Sequence, residues 1–296
     1  MKKLWIILLA SVLLLAACGG TAPPATEAPP ALPPSTPVPI LPTPTPLPPP
    51  PTPTALPTNT PAPEGTEVTP APAVTDIMVE IPAGAFTMGT DSGEPNEAPA
   101  HEVDLPAFMI DKFEVTNADF AVFVEATGYE TYTEKQGRTG WRAAYTEGKD
   151  SHPVAYVTFD DAEAYCTWAG KRLPTEVEWE KAARGPEGFV FPWGNDWDPT
   201  KANVKESGLR GTAAVGSYPP SDYGLCDMAG NVWEWVDSPY EAYPGSDYQD
   251  SKYSPDLRGL RGGGWFDDED QVRATNRNAG DPVITANDDI GFRCAK

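Results

Sequence analysis

The sequence predicts one loop-rich domain that mixes short helices with short strands and follows a long proline-rich segment. Three observations carry this. Helix signals are confined to roughly residues 116–184. Beyond Gly185 the chain shows almost no helical period and is rich in Gly, Pro, Asn, Asp and Trp, the composition of loops around short strands. Most of the chain's 36 prolines lie before residue 75. The part from about Asp76 to Lys296 is long enough for a single domain with its own core.

The segment from Met1 to Cys18 reads as an export signal. Lys2 and Lys3 are followed by the apolar run from Leu4 to Leu15 and then by Leu15-Ala16-Ala17-Cys18. That ending resembles a lipobox, in which the Cys18 thiol is acylated and becomes the new N-terminus. An ordinary secretory signal or an anchor helix is the alternative, although the apolar run is shorter than the roughly 20 residues a membrane span needs. Residues 19–75 are mostly Pro, Thr and Ala. Proline lacks an amide hydrogen and fixes φ, so this stretch favours extended polyproline II and builds no core. Its reach is on the order of 150 Å. It reads as a disordered stalk, with a docking site for a proline-binding partner as the alternative.

Lys and Arg number 21 and Asp and Glu 43, a net charge of −22. Such a surface repels nucleic acid and anionic headgroups and favours Ca²⁺ or basic partners. With Cys18 assigned to the lipid, Cys166, Cys226 and Cys294 remain, an odd number.

The folded part begins with Ile81-Pro82-Ala83-Gly84-Ala85-Phe86-Thr87-Met88-Gly89, which reads as a hairpin. His101 to Leu105 alternates as a half-buried strand should. Thr116 or Asn117 caps a helix that places Phe120, Phe123 and Val124 on one face and stops at Gly128. Asp160 and Asp161 open a second helix, with Tyr165 and Trp168 inward and Gly170 as terminator. Thr175 and Glu178 have capping-box spacing for a third, with Trp179 and Ala182 on its buried face. No internal repeat is apparent.

Several blocks resemble the formylglycine-generating enzyme, or sulfatase-modifying factor, family. They are Pro82-x-Gly84-x-Phe86-x-Met88-Gly89, the run from Lys171 to Glu180, Gly224 to Trp235, Arg261-Gly262-Gly263-Gly264-Trp265 and Gly291-Phe292-Arg293-Cys294-Ala295. The resemblance covers essentially residues 78–296. It implies an irregular α+β domain related to C-type lectins over residues 76–296. It also implies a Cys166–Cys294 disulfide, which leaves Cys226 as a buried free thiol.

The resemblance implies sites as well. Asp227, Gly230, Val232 and Glu234 match positions through which family members hold Ca²⁺. Two carboxylates and two main-chain carbonyls form an oxygen-only set suited to that ion. The plainer reading is that Gly-Asn-Val-Trp-Glu-Trp is only core and turn. A second family calcium site maps to Asn203, the Val204 carbonyl and the Leu209 carbonyl, with Ser207 where an acid belongs. The family's copper thiolates map to Asp267 and Val272, and neither side chain offers the soft sulfur that Cu(I) needs, so no copper is expected. His101 and His152 are too few for the family's iron branch, and no nucleophile elbow is present.

What remains is a binding segment. Phe266, Arg273 and Arg277 are the contact candidates. Asp267, Asp268, Glu269 and Asp270 set a preference for a basic partner. The segment also resembles the variable region of diversity-generating retroelement target proteins. The reading is a lipid-anchored, extracytoplasmic domain at the cell membrane, inactive as a formylglycine oxidase, that binds a protein or small ligand at the envelope and no nucleic acid. An oxidoreductase of the family, a structural envelope lipoprotein and a retroelement variable protein are the alternatives.

Overall fold

The computed structural model describes residues 77–296. The expected signal, Cys18 and the proline-rich segment lie outside the described residues.

The structure corrects the hairpin expected within Ile81–Gly89. Strands β1 (Met78–Ile81) and β2 (Gly84–Met88) do not pair with each other. They form one arm of a longer hairpin, and β3 (His101–Leu105) and β4 (Phe108–Asp111) form the other. β1 pairs with β4 and β2 with β3, both antiparallel. Ile81 faces Phe108 and Gly84 faces Leu105, so one register runs through the break. Pro82 and Pro106 sit in that break. A proline has no N–H for a ladder, so both arms lose pairing at the same level. The connection at the tip, residues 89–100, contains the 3-10 turn Pro95–Glu97.

Each main helix begins on a side-chain cap. Helix α1 (Asn117–Thr127) starts at Thr116, whose hydroxyl accepts the Asp119 N–H, and ends at Gly128 with φ +67°. Single turns α2 (Tyr132–Lys135) and α3 (Trp141–Ala144) follow. Helix α4 (Phe159–Trp168) starts at Thr158, and the reciprocal bond comes from Asp161. The cap therefore precedes the Asp160-Asp161 pair that marks the helix in the sequence. Helix α5 (Glu176–Arg184) has the full Thr175–Glu178 capping box. No α-helix occurs after Arg184 among the described residues.

The second half folds around a four-stranded sheet in the order β7–β6–β5–β8. Its strands are β5 (Trp233–Tyr240), β6 (Ser254–Arg261), β7 (Arg277–Gly280) and β8 (Ile290–Gly291). β6 runs antiparallel to β5 and β7, while β8 runs parallel to β5. The segment that the sequence marks for binding is thus the β6–β7 connection.

Three apolar clusters fill the interior of the described domain. The first joins Phe120 and Phe123 of α1, Trp141 of α3, Tyr165 of α4 and Phe292. Phe120 lies 5.3 Å from Trp141 and 5.9 Å from Tyr165, centroid to centroid. The second sets Trp179 and Ala182 of α5 against Ile81, Phe108 and Ile110. The third gathers Phe191, Val204, Ala229 and Val272.

The Cys166–Cys294 disulfide lies within the first cluster and spans 128 residues of sequence, and Cys226 is free and buried. Beyond it the terminus is bonded to β4, with Lys296 and Met109 exchanging backbone hydrogen bonds. A cross-link over so long a loop lowers the entropy of the unfolded chain by about 4–5 kcal/mol in the loop-closure model. Replacing Cys294 by Ser should therefore lower the urea unfolding free energy by several kcal/mol, and adding a reductant to that variant should cost nothing further. Equal stability of the two proteins would show that the bridge does not constrain the chain.

Candidate functional site

The β6–β7 connection rests on a buried layer of paired charges. Glu176 and Glu180 are one helical turn apart on α5 and so share a face. Arg277, at the start of β7, meets Glu176 in a two-pronged pair at 2.7 and 2.9 Å. Its remaining donors reach the carbonyls of Asn96 and Glu241, both at 3.0 Å, and its guanidinium lies 3.8 Å from the Tyr243 ring centroid. Arg261, at the end of β6, pairs with Glu180 and donates to the Asn276 carbonyl. Both ends of the connection are thereby tied to α5.

Glu97 fixes the opposite wall. It is fully buried in the 89–100 loop, and its oxygens accept from Arg273 Nη2 at 2.7 Å, the Thr275 hydroxyl and the Glu94 N–H at 3.0 Å. Burial pushes its carboxyl up, but the Arg273 and Thr275 bonds outweigh that and hold it below the usual range. The tip loop of the long hairpin is thus joined to residues 273–276. Nothing in the local sequence of Glu97 signals this, because Arg273 and Thr275 lie near the other end of the chain.

Between these walls lies a recess of about 250 Å³. The 89–100 loop contributes Glu94, Pro95 and Asn96, the β6–β7 connection contributes Gln271, Asn276 and Asn278, and Trp233 and Tyr248 complete it along with Arg277. Arg277 also borders a second, more apolar recess of about 480 Å³ beside His101 and Tyr243.

The expected contact set divides in this structure. Phe266, Glu269 and Asp270 are exposed and Asp268 is half-buried. Asp267 and Arg277 are buried, and of the two Arg277 borders the recess. Asp267 is 2% exposed and accepts the Gly264 N–H at 2.8 Å, closing the turn after β6. Arg273 bridges Glu97 and Asp270. Val272 packs in the third cluster, where its Cγ1 would lie 2.6 Å from a side chain at Gly263.

The residues expected to hold calcium are engaged with one another and with the protein. Both Glu234 oxygens accept from Arg293 at 2.7 Å, and Oε2 also accepts from the Trp179 indole at 2.8 Å. Asp227 Oδ2 accepts from the Gly216 N–H at 2.6 Å. Gly230, with φ +75°, passes so close to Asn203 that a Cβ would lie 2.3 Å from its carbonyl oxygen. Asn203 Oδ1 accepts from the Ser207 hydroxyl, and the Val204 carbonyl accepts the Ser207 N–H. Leu209 is exposed. Among the described residues, no three His, Cys, Asp or Glu side chains are placed to hold a metal. Calcium takes about six to eight oxygens, main-chain carbonyls among them.

Asn231 joins this group, and no local pattern in the sequence marks it. Its Oδ1 accepts from the Ala213 N–H and Asn203 Nδ2, and its Nδ2 donates to Glu114 Oε2 at 2.8 Å. Burial, then the charges of Asp227 and Glu234, push the Glu114 carboxyl well up. The two histidines sit apart, His101 against the Pro99 carbonyl and Tyr243, and His152 against Thr212 and Lys149.

A family model described as the sulfatase-modifying factor enzyme 1-like domain matches residues 64–296. The chain belongs to that family. This sulfatase-modifying factor domain is 38% identical over 273 residues to the inactive C-alpha-formylglycine-generating enzyme 2 of Bos taurus, covering 74% of this chain and 87% of that protein. It is 36% identical over 279 residues to the formylglycine-generating enzyme of Bos taurus, covering 74% of each. The solved structure of PvdO from Pseudomonas aeruginosa shares the fold, with a TM-score of 0.60 and 31% identity over 74% of this chain and 93% of that one. The irregular α+β architecture is that of the family.

Asp267 has a second carboxyl nearby, that of Asp289. Burial raises the Asp267 pKa, and hydrogen bonds from Gly264 and the Trp233 indole oppose the rise. Burial and then the charges of Asp267 and Asp288 push Asp289 up to about 6. The folded protein therefore keeps the Asp289 proton to a higher pH than the unfolded chain, and its ionisation destabilises the fold. Its contribution is fully present below about pH 4 and is lost as pH rises through about 6, amounting to up to about 3 kcal/mol. Urea unfolding from pH 4 to 7 should show Asp289→Asn gaining on the wild type as pH rises. A difference that stays constant with pH would remove this coupling.

Proposed function

We propose that this domain is a non-catalytic member of its family that binds a ligand between the 89–100 loop and the β6–β7 connection, and that it does so at the cell envelope. The observation that supports this most is the fate of the two thiolate positions. Asp267 is a turn-closing carboxylate and Val272 is packed in the core. Neither can hold Cu(I), and both side chains are built into the fold. The similarity to an inactive formylglycine-generating relative agrees with this reading. The walls of the recess are fixed by buried pairs, which preorganises them for binding. The export signal with Cys18 as lipid site and the proline stalk supply the envelope location. Radiolabelled palmitate retained by the wild type and lost in Cys18→Ser supports that part, and equal labelling overturns it.

The enzymatic reading gives the opposite result in a direct assay. The full-length protein, incubated with copper, oxygen, a thiol reductant and a Cys-x-Pro-x-Arg peptide, should leave the peptide cysteine unchanged by mass spectrometry. Copper-dependent conversion to formylglycine would overturn the non-catalytic assignment.

A further inference from the structure

We infer that the recess between the 89–100 loop and the β6–β7 connection takes an uncharged polyhydroxyl ring, a single saccharide unit, and not an anionic or basic ligand. This rests on the reading of that face as a binding site and goes further by naming the ligand class.

The lining excludes the other classes in turn. Arg277 is the one cation among the lining residues and is held by Glu176, so an anion would have only Lys252 at the edge, whose Nζ donates to Asn278. It would also approach a protein of net charge −22. A basic ligand finds one carboxylate in the lining, the exposed Glu94. An apolar ligand finds a mostly polar wall.

The groups that remain are amides. Asn96, Gln271, Asn276 and Asn278 each pair a donor with an acceptor, and a sugar hydroxyl offers the same combination. Two of them are oriented by neighbours. Asn96 Nδ2 donates to the Tyr240 hydroxyl at 2.8 Å, and Asn278 Oδ1 accepts from Lys252 Nζ at 3.0 Å. Tyr248 is 39% exposed at the same recess and steadied edge-to-face by Tyr253 at 6.2 Å, an aromatic surface for the C–H face of a ring. The volume of about 250 Å³ lies below the roughly 300–1,000 Å³ of drug-sized sites, which suits one ring.

Saturation-transfer NMR on the full-length protein tests this with four probes: the methyl glycosides of glucose, galactose, mannose and N-acetylglucosamine. A capped Lys-Arg dipeptide and glucose 6-sulfate serve as comparison arms. At least one neutral glycoside should receive transfer, and that transfer should fall about fivefold or more in both Tyr248→Ala and Gln271→Ala. Gln271 is exposed, so its variant keeps the test valid if Tyr248→Ala fails to fold. Val122→Ala, on the exposed face of α1, should behave as wild type. Transfer to the dipeptide or the sulfate alone, reduced by Gln271→Ala, overturns the saccharide class and leaves the binding face standing. Absence of transfer to every probe, or transfer that Gln271→Ala does not change, overturns both.

Discussion

One buried guanidinium organises the domain. Arg293 is fully buried, and all five of its N–H donors are used. Two go to Glu234 on β5, and the others go to the backbone carbonyls of Asp111, Lys112 and Cys226. Through Glu234 the network reaches the Trp179 indole on α5. A single side chain near the C-terminus thus joins the hairpin arm, the Cys226 turn, the main sheet and the buried face of α5. A buried charge is tolerated only when fully paired, and removing one partner of such a pair costs about 3–5 kcal/mol. In a domain whose second half has no α-helix among the described residues, this pairing does the joining that helix packing does elsewhere.

The same logic shapes the candidate site. Glu97, Glu176 and Glu180 face Arg273, Arg277 and Arg261, so the layer under the recess is balanced charge for charge. Its bonds bridge the tip loop, α5 and both ends of the β6–β7 connection. The exposed residues of the connection are Phe266, Glu269, Asp270 and Gln271, so its outer surface mixes an aromatic ring, an amide and carboxylates. The acidic run Asp268, Glu269 and Asp270 lies on the same connection, and Asp267 has been taken into the turn.

Much of this was legible because it is local. The Thr175–Glu178 capping pair lies one turn apart, Thr116 stands at the start of α1, and glycine at 128 and 170 marks a backbone that turns left-handed. The inward positions of Phe120, Tyr165 and Trp179 follow from helical spacing. The family blocks added the disulfide and the fold, neither of which periodicity alone supplies.

What the sequence by itself determined is therefore where short elements start and stop and which face of each helix is apolar. Only the tertiary structure decided partners. β1 and β2 looked like a hairpin because a turn follows Pro82, yet each pairs across the 89–100 loop, and strand choice depends on contacts the local chain does not encode. Arg277 sat in a polar run and read as a surface contact, but Glu176 and Glu180 on a distant helix turned it and Arg261 inward. Asp227 and Glu234 lie close in sequence, and Arg293, which follows the last strand, reaches Glu234 from the other end of the domain's chain. In each case the local pattern fixed which charge or strand was present, and the long-range cost of burying it unpaired fixed where it went.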